Sequence, residues 1–248
     1  MGSRTPPKPY ALMCLATDRR RRNRDFNKVD VDVPGRVDGR DHDHTEIYSI
    51  VGMLKVVFGK KLNHPTMVIH RDRPDFLLAA VDGSIGVEVT EAVSENTVRM
   101  DVLRESEPDL SGVLNDENLV YFARKASVDE DKIYPCDLRD MIRANCAGDG
   151  WVGDGAEGWA TAIAHFAQIK SETALKSGFE RFDQNWLLIY DNWNEPLRSR
   201  GRGDQALHKR FLKLKMFQTF DRILVIDGRE LGSWAESGVV RHRRPRQR

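Results

Sequence analysis

A chain of 248 residues, 40% hydrophobic and 31% charged, can bury a sizeable core. Its apolar runs, such as Phe76–Val81, fall far short of the roughly 20 residues that a membrane-spanning helix needs. Three cysteines without C-x-x-C spacing (Cys14, Cys136 and Cys146) argue against a disulfide scaffold or a structural zinc, and no secretory signal pattern opens the chain, so a cytoplasmic protein is expected.

The net charge of +1 conceals an uneven distribution. Residues 1–24 carry seven basic groups against one acid, and residues 241–248 carry five arginines and no acid. The body between them has 27 basic and 37 acidic residues. Basic ends on an acidic body suit a polyanion partner, held by counterion release, while the body keeps carboxylates for other work.

Taken in chain order, residues 1–44 mix Pro, Arg, Asp and Gly with little periodicity and read as an unfolded leader. Ile47, Ile50, Val51, Leu54 and Phe58 then recur at helical spacing up to Gly59. Asp43 and Glu46 have the spacing of a capping box at that helix start. Strands are expected at 66–70, 75–81 and 85–93, and helices over 116–127 and 137–144. A Gly/Asp loop at 148–155 leads into a long helix over 157–176, with an apolar stripe of Trp159, Ile163, Phe166 and Ile169. A strand at 186–190, a helix over 205–217 and a strand at 223–226 complete the pattern. No internal repeat is present. The sequence predicts one α/β domain over 45–232, with a mixed sheet of about five strands flanked by helices and a basic tail over 233–248.

The stretch that carries chemistry runs from Pro74 to Thr90. Asp82-Gly83 between two apolar runs is a strong signal for a two-residue hairpin turn. A turn centred there sets Leu77 opposite Glu88 and Asp75 opposite Thr90. One face then holds Phe76, Leu78, Ala80, Ile85, Val87 and Val89, all apolar. The other holds Asp75, Leu77, Ala79, Gly86, Glu88 and Thr90, with the two carboxylates as diagonal neighbours. Two acids converging on one sheet face repel unless one is protonated or a cation joins them. Mg²⁺ (or Mn²⁺) suits such a pair, and a bound ion would promote phosphodiester hydrolysis.

Pro74-Asp75, a hairpin, then Glu88-Val89-Thr90 resembles the signature of the restriction-endonuclease-like, or PD-(D/E)XK, nuclease superfamily, and the element order over about 45–228 follows the same outline. The resemblance implies a Mg²⁺-dependent endonuclease acting on nucleic acid, DNA above all. Asp75, Glu88 and the carbonyl of Val89 would be metal ligands, and Glu46 a further carboxylate from the first helix. It departs at Thr90, which stands where the family's motif has lysine. Lys170, on the long helix beside the apolar stripe, is the expected replacement, and Lys176 the second choice. A homodimer is compatible with the sequence. The alternative reading is a catalytically inactive nucleic-acid-binding or complex-forming protein on the same fold. Lys209, Arg210, Lys213 and Lys215 could track a phosphate backbone. His42 and His44 read as loop, and Asp191 as part of a turn.

Overall fold

Two kinds of strand build the protein. Runs such as Trp186-Leu-Leu-Ile and Ile223-Leu-Val-Ile are buried throughout, as strands covered on both faces must be. Others, such as Met67–His70 and Phe76–Leu78, alternate between buried and more exposed residues. In the computed structural model, which describes residues 8–15, 19–57, 67–80, 83–111, 132–143, 155–176, 178–193, 200–227 and 230–243, they form one eight-stranded mixed sheet with strands in sequence order.

The elements are β1 (Tyr10–Cys14), α1 (Arg19–Phe26), α2 (His42–Val57), β2 (Met67–His70), β3 (Phe76–Ala80), β4 (Gly83–Ala92), α3 (Glu95–Ser106), α4 (Pro108–Ser111), α5 (Pro135–Arg143), α6 (Gly155–Ala174), β5 (Gln184–Asp191), α7 (Arg200–Lys213), a 3-10 turn at Met216–Gln218, β6 (Arg222–Ile226), β7 (Glu230–Ala235) and β8 (Gly238–Arg243). β1 to β4 form an antiparallel meander. β4, β5 and β6 run parallel, and β7 and β8 return antiparallel. No helix among the described residues is long and apolar enough to cross a membrane.

The α/β class is as expected, but the sheet has eight strands rather than five. The stretch read as an unfolded leader contributes β1 and α1, and the supposed basic tail contributes β8 and part of β7. Arg241 lies within β8, where it pairs with Asp204 and Glu230. The expected helix over 116–127 lies outside the described residues, as does most of the Gly/Asp loop.

The sheet carries a core on each face. One packs α2 residues Ile50, Val51, Met53 and Leu54 on Phe76, Leu78, Val87, Val89, Leu188 and Leu224. The other packs α6 and α7 on Leu187, Ile189, Ile223, Val225 and Trp234. Helices α3 to α5, in the crossover between β4 and β5, gather a smaller cluster around Met100, Leu110, Leu138 and Ile142.

Alanines at 156, 160, 164 and 167 of α6 are buried and let the helix lie close to the sheet. The expected stripe fails at its last member, since Ile169 is exposed. The buried seam instead follows Ile163, Ala167 and Ala174, and at helical spacing its missing member is Lys170.

Candidate active site

The β3–β4 hairpin is present with its register displaced. Ala80 pairs with Gly83, Leu77 with Gly86 and Phe76 with Val87. Gly83 is therefore paired within β4, where the sequence placed it in the turn. The displacement is two residues, so every side chain keeps its expected face. Extended by one residue, the same register sets Asp75 directly opposite Glu88, where diagonal neighbours were expected. The Val89 N–H donates to Asp75 Oδ2 at 2.7 Å, which fixes the acid at the mouth of the hairpin.

The face bearing the two acids is covered rather than solvated. Asp75 is 6% and Glu88 5% exposed. Part of the cover is Phe182 and Pro74, which meet over Gly86. A β-carbon at Gly86 would lie 2.7 Å from Phe182 Cδ2 and 2.8 Å from Pro74 Cγ. Gly86→Ala is therefore expected to cost about 1–3 kcal/mol in stability by overpacking, measured by urea unfolding.

Lys170 closes the site from α6, its ammonium 2.8 Å from Glu88 Oε1. Burial alone would lower its pKa, but the charges of Asp75 and Glu88 outweigh that and hold the ammonium above its ordinary value. Asp75 moves up as well, well above the usual carboxylate range, through burial first and then the charges of Glu88 and Glu46. One ammonium between two acids leaves an excess of negative charge, which a proton or a second cation can balance.

Between the ordinary aspartate value and the raised one, folded Asp75 keeps a proton that the unfolded chain has released. The metal-free protein then loses stability as pH rises through that window. Urea unfolding at a series of pH values should show this slope in the wild type and a flatter one in Asp75→Asn.

Three acids are buried among the described residues: Asp75, Glu88 and Asp204. Arg241 engages both oxygens of Asp204, which closes that carboxylate. Among the described residues, Asp75 and Glu88 each take a side-chain hydrogen bond at one oxygen only. Glu88 Oε2 is buried with no hydrogen-bond partner among the described residues, an arrangement that costs stability unless a ligand completes it. This half-open pair, with excess negative charge and hard oxygen donors, has the donor chemistry of a Mg²⁺ or Mn²⁺ site.

Glu46 is not the capping partner of α2. The helix starts at His42, two residues earlier than expected, and Asp41 accepts from the His44 N–H while His44 Nδ1 accepts from the Asp41 N–H. Glu46 instead meets His70 Nε2 at 2.8 Å and Lys8 Nζ at 3.2 Å, both through Oε2. Burial would raise its pKa, but the His70 hydrogen bond and the Lys8 charge outweigh this and hold it below the ordinary glutamate value. Its charge acts on Asp75 and Lys170.

Among the described residues, the group of three metal-ligating side chains with atoms all within 4.8 Å of one another is Asp43, Glu46 and His70. Glu46 does not close with Asp75 and Glu88 to that distance. Lys8 already pairs with two of the group, its ammonium 2.8 Å from Asp43.

Lys176 is exposed and takes no part in the site. Asp191 accepts from Trp159 Nε1 at 2.8 Å and from the Trp193 N–H, so it packs a turn rather than lining a cleft. Arg210 pairs with Glu157. Lys8, Tyr10 and His70 went unnoticed in the sequence because no short motif links them. No family model, curated protein or solved structure matches the chain.

Proposed function

We propose that the chain is a metal-dependent nuclease of restriction-endonuclease-like type that hydrolyses phosphodiester bonds, in DNA above all. The observation that carries the reading is the half-open acid pair: Asp75 and Glu88, opposed across a hairpin, buried, and each clamped through a single oxygen. Asp75 and Glu88 would hold Mg²⁺ or Mn²⁺, with the Val89 carbonyl as a further ligand and Glu46 acting from the rim of the site. A bound ion would polarise a phosphoryl oxygen and acidify a coordinated water.

In the chain's own chemistry, the Val89 N–H orients Asp75. Lys170 supplies the positive charge that Thr90 lacks, beside the place where negative charge develops. The arginine-rich ends would add sequence-independent affinity for the phosphate backbone.

The test is cleavage of linear and supercoiled DNA, and of RNA, by the full chain with Mg²⁺ or Mn²⁺ and with chelator. Chelator-sensitive strand scission supports the reading, and its absence on every substrate with both metals overturns it. The second reading is an inactive nucleic-acid-binding protein on this fold. It is favoured by Thr90 and by the Lys170–Glu88 ion pair, which already neutralises one acid without metal. That reading expects salt-dependent DNA binding indifferent to metal.

A further inference from the structure

His70 lies in β2 opposite Phe76, with the two rings stacked at 4.4 Å and 9° between planes. Its side chain is 0% exposed, and both ring nitrogens are occupied. Nε2 lies 2.8 Å from Glu46 Oε2, and Nδ1 lies 2.8 Å from the Tyr10 hydroxyl. A carboxylate only accepts, so Nε2 carries the hydrogen. In the neutral ring Nδ1 then accepts from the Tyr10 O–H. One tautomer satisfies every atom of a chain from Tyr10 through His70 to Glu46.

This chain ends on Glu46 Oε2, the oxygen that Lys8 also touches, and Oε1 takes no hydrogen bond among the described residues. Glu46 is thus pinned through one oxygen, on a side chain that is 15% exposed, which leaves the other oxygen open to a ligand.

We propose that Tyr10 and His70 are positioning residues for the Glu46 carboxylate, so that the N-terminal strand completes the Asp75–Glu88 site. The inference rests on the nuclease reading of that site. Outer-shell partners that fix a ligand's orientation typically carry 10- to 100-fold in metal affinity or activity. An acid at the rim can act through metal-bound water, several of which Mg²⁺ retains.

The experiment compares full-length wild type, Tyr10→Phe, Glu46→Gln and the Tyr10→Phe/Glu46→Gln double variant. Each is measured for Mn²⁺ affinity by electron paramagnetic resonance, for DNA cleavage at saturating Mg²⁺, and for thermal midpoint. Tyr10→Phe keeps the ring and removes only the hydroxyl, which spares the packing against His70. It should weaken Mn²⁺ binding and slow cleavage about tenfold. Glu46→Gln should lose at least as much, and the double variant no more than Glu46→Gln alone, because Tyr10 acts only through Glu46.

Additive losses, or a Tyr10→Phe protein that shifts in thermal midpoint while binding Mn²⁺ and cleaving as wild type, would overturn the proposal. Asp75→Asn and Glu88→Gln serve as the separate control. If they bind Mn²⁺ as wild type, the site reading itself falls. If they lose the metal while Tyr10→Phe keeps it, only the positioning role falls.

Discussion

On the nuclease reading, Asp75→Asn and Glu88→Gln should each reduce Mg²⁺-dependent cleavage by about 10³-fold, the several kcal/mol that a metal's charge stabilisation is worth, while both variants should remain folded. The amide at 75 still accepts from the Val89 N–H, so the hairpin mouth keeps its geometry. What it loses is the charge that would hold the ion. Stability should move the other way. Asp75 is buried against Glu88 with its pKa pushed up, so a neutral isostere removes repulsion at neutral pH. Its thermal midpoint should rise, by about 2–4 °C for each kcal/mol recovered in a protein of this size. Added Mn²⁺ should stabilise the wild type by mass action and leave Asp75→Asn unmoved. Calorimetric scans with and without metal, beside a cleavage assay, check all three expectations. Undiminished cleavage by both variants would end the nuclease assignment.

How much of this was legible in the sequence depended on how local the signal was. Strand alternation is local, and the two faces of the β3–β4 hairpin followed from it. The register did not, because Asp82-Gly83 is a good turn dipeptide but Ala80 pairs with Gly83. Parity survived the two-residue difference, which is why the pair still shares a face. The start of α2 was misread because His44, not Glu46, reciprocates the cap. Histidine at that position is outside the usual capping-box pattern.

The leader was averaged into disorder by its arginines and prolines, although Tyr10–Ala16 is an unbroken apolar run that supplies β1. The Tyr10–His70–Glu46 chain joins residues 60 and 24 positions apart: the β1–β2 pairing sets Tyr10 beside His70, and the first turns of α2 carry Glu46. Lys170 was singled out because the resemblance calls for a cation that Thr90 cannot supply and because its period sets it beside the apolar stripe. It occupies the helix seam between Ala167 and Ala174, and the sheet beneath it carries Glu88 instead of a hydrophobe.

That seam makes Lys170→Met the most discriminating substitution in the protein. Methionine matches the length of the lysine stem, so Ala167 and Ala174 keep their packing, and only the ammonium disappears. Glu88 is then buried with neither oxygen engaged. Breaking a buried pair in this way costs about 3–5 kcal/mol, and toward the lower end here because the lysine side chain is a quarter exposed. The nuclease reading expects two further changes of opposite sign. Metal affinity should rise, by about tenfold or 1.4 kcal/mol, because a positive charge has left the neighbourhood of the ion. Cleavage at saturating metal should fall by about 10²–10⁴-fold, the range for losing a group that transfers or stabilises a proton at the reacting centre. A lysine that served only to neutralise Glu88 would give a different result: the added ion would restore both the thermal midpoint and full cleavage. The double variant Lys170→Met/Glu88→Gln separates stability from chemistry, since removing both charges should recover most of the lost stability. It should leave cleavage at the level of Glu88→Gln alone, because without its acid the site has no ion for the ammonium to assist.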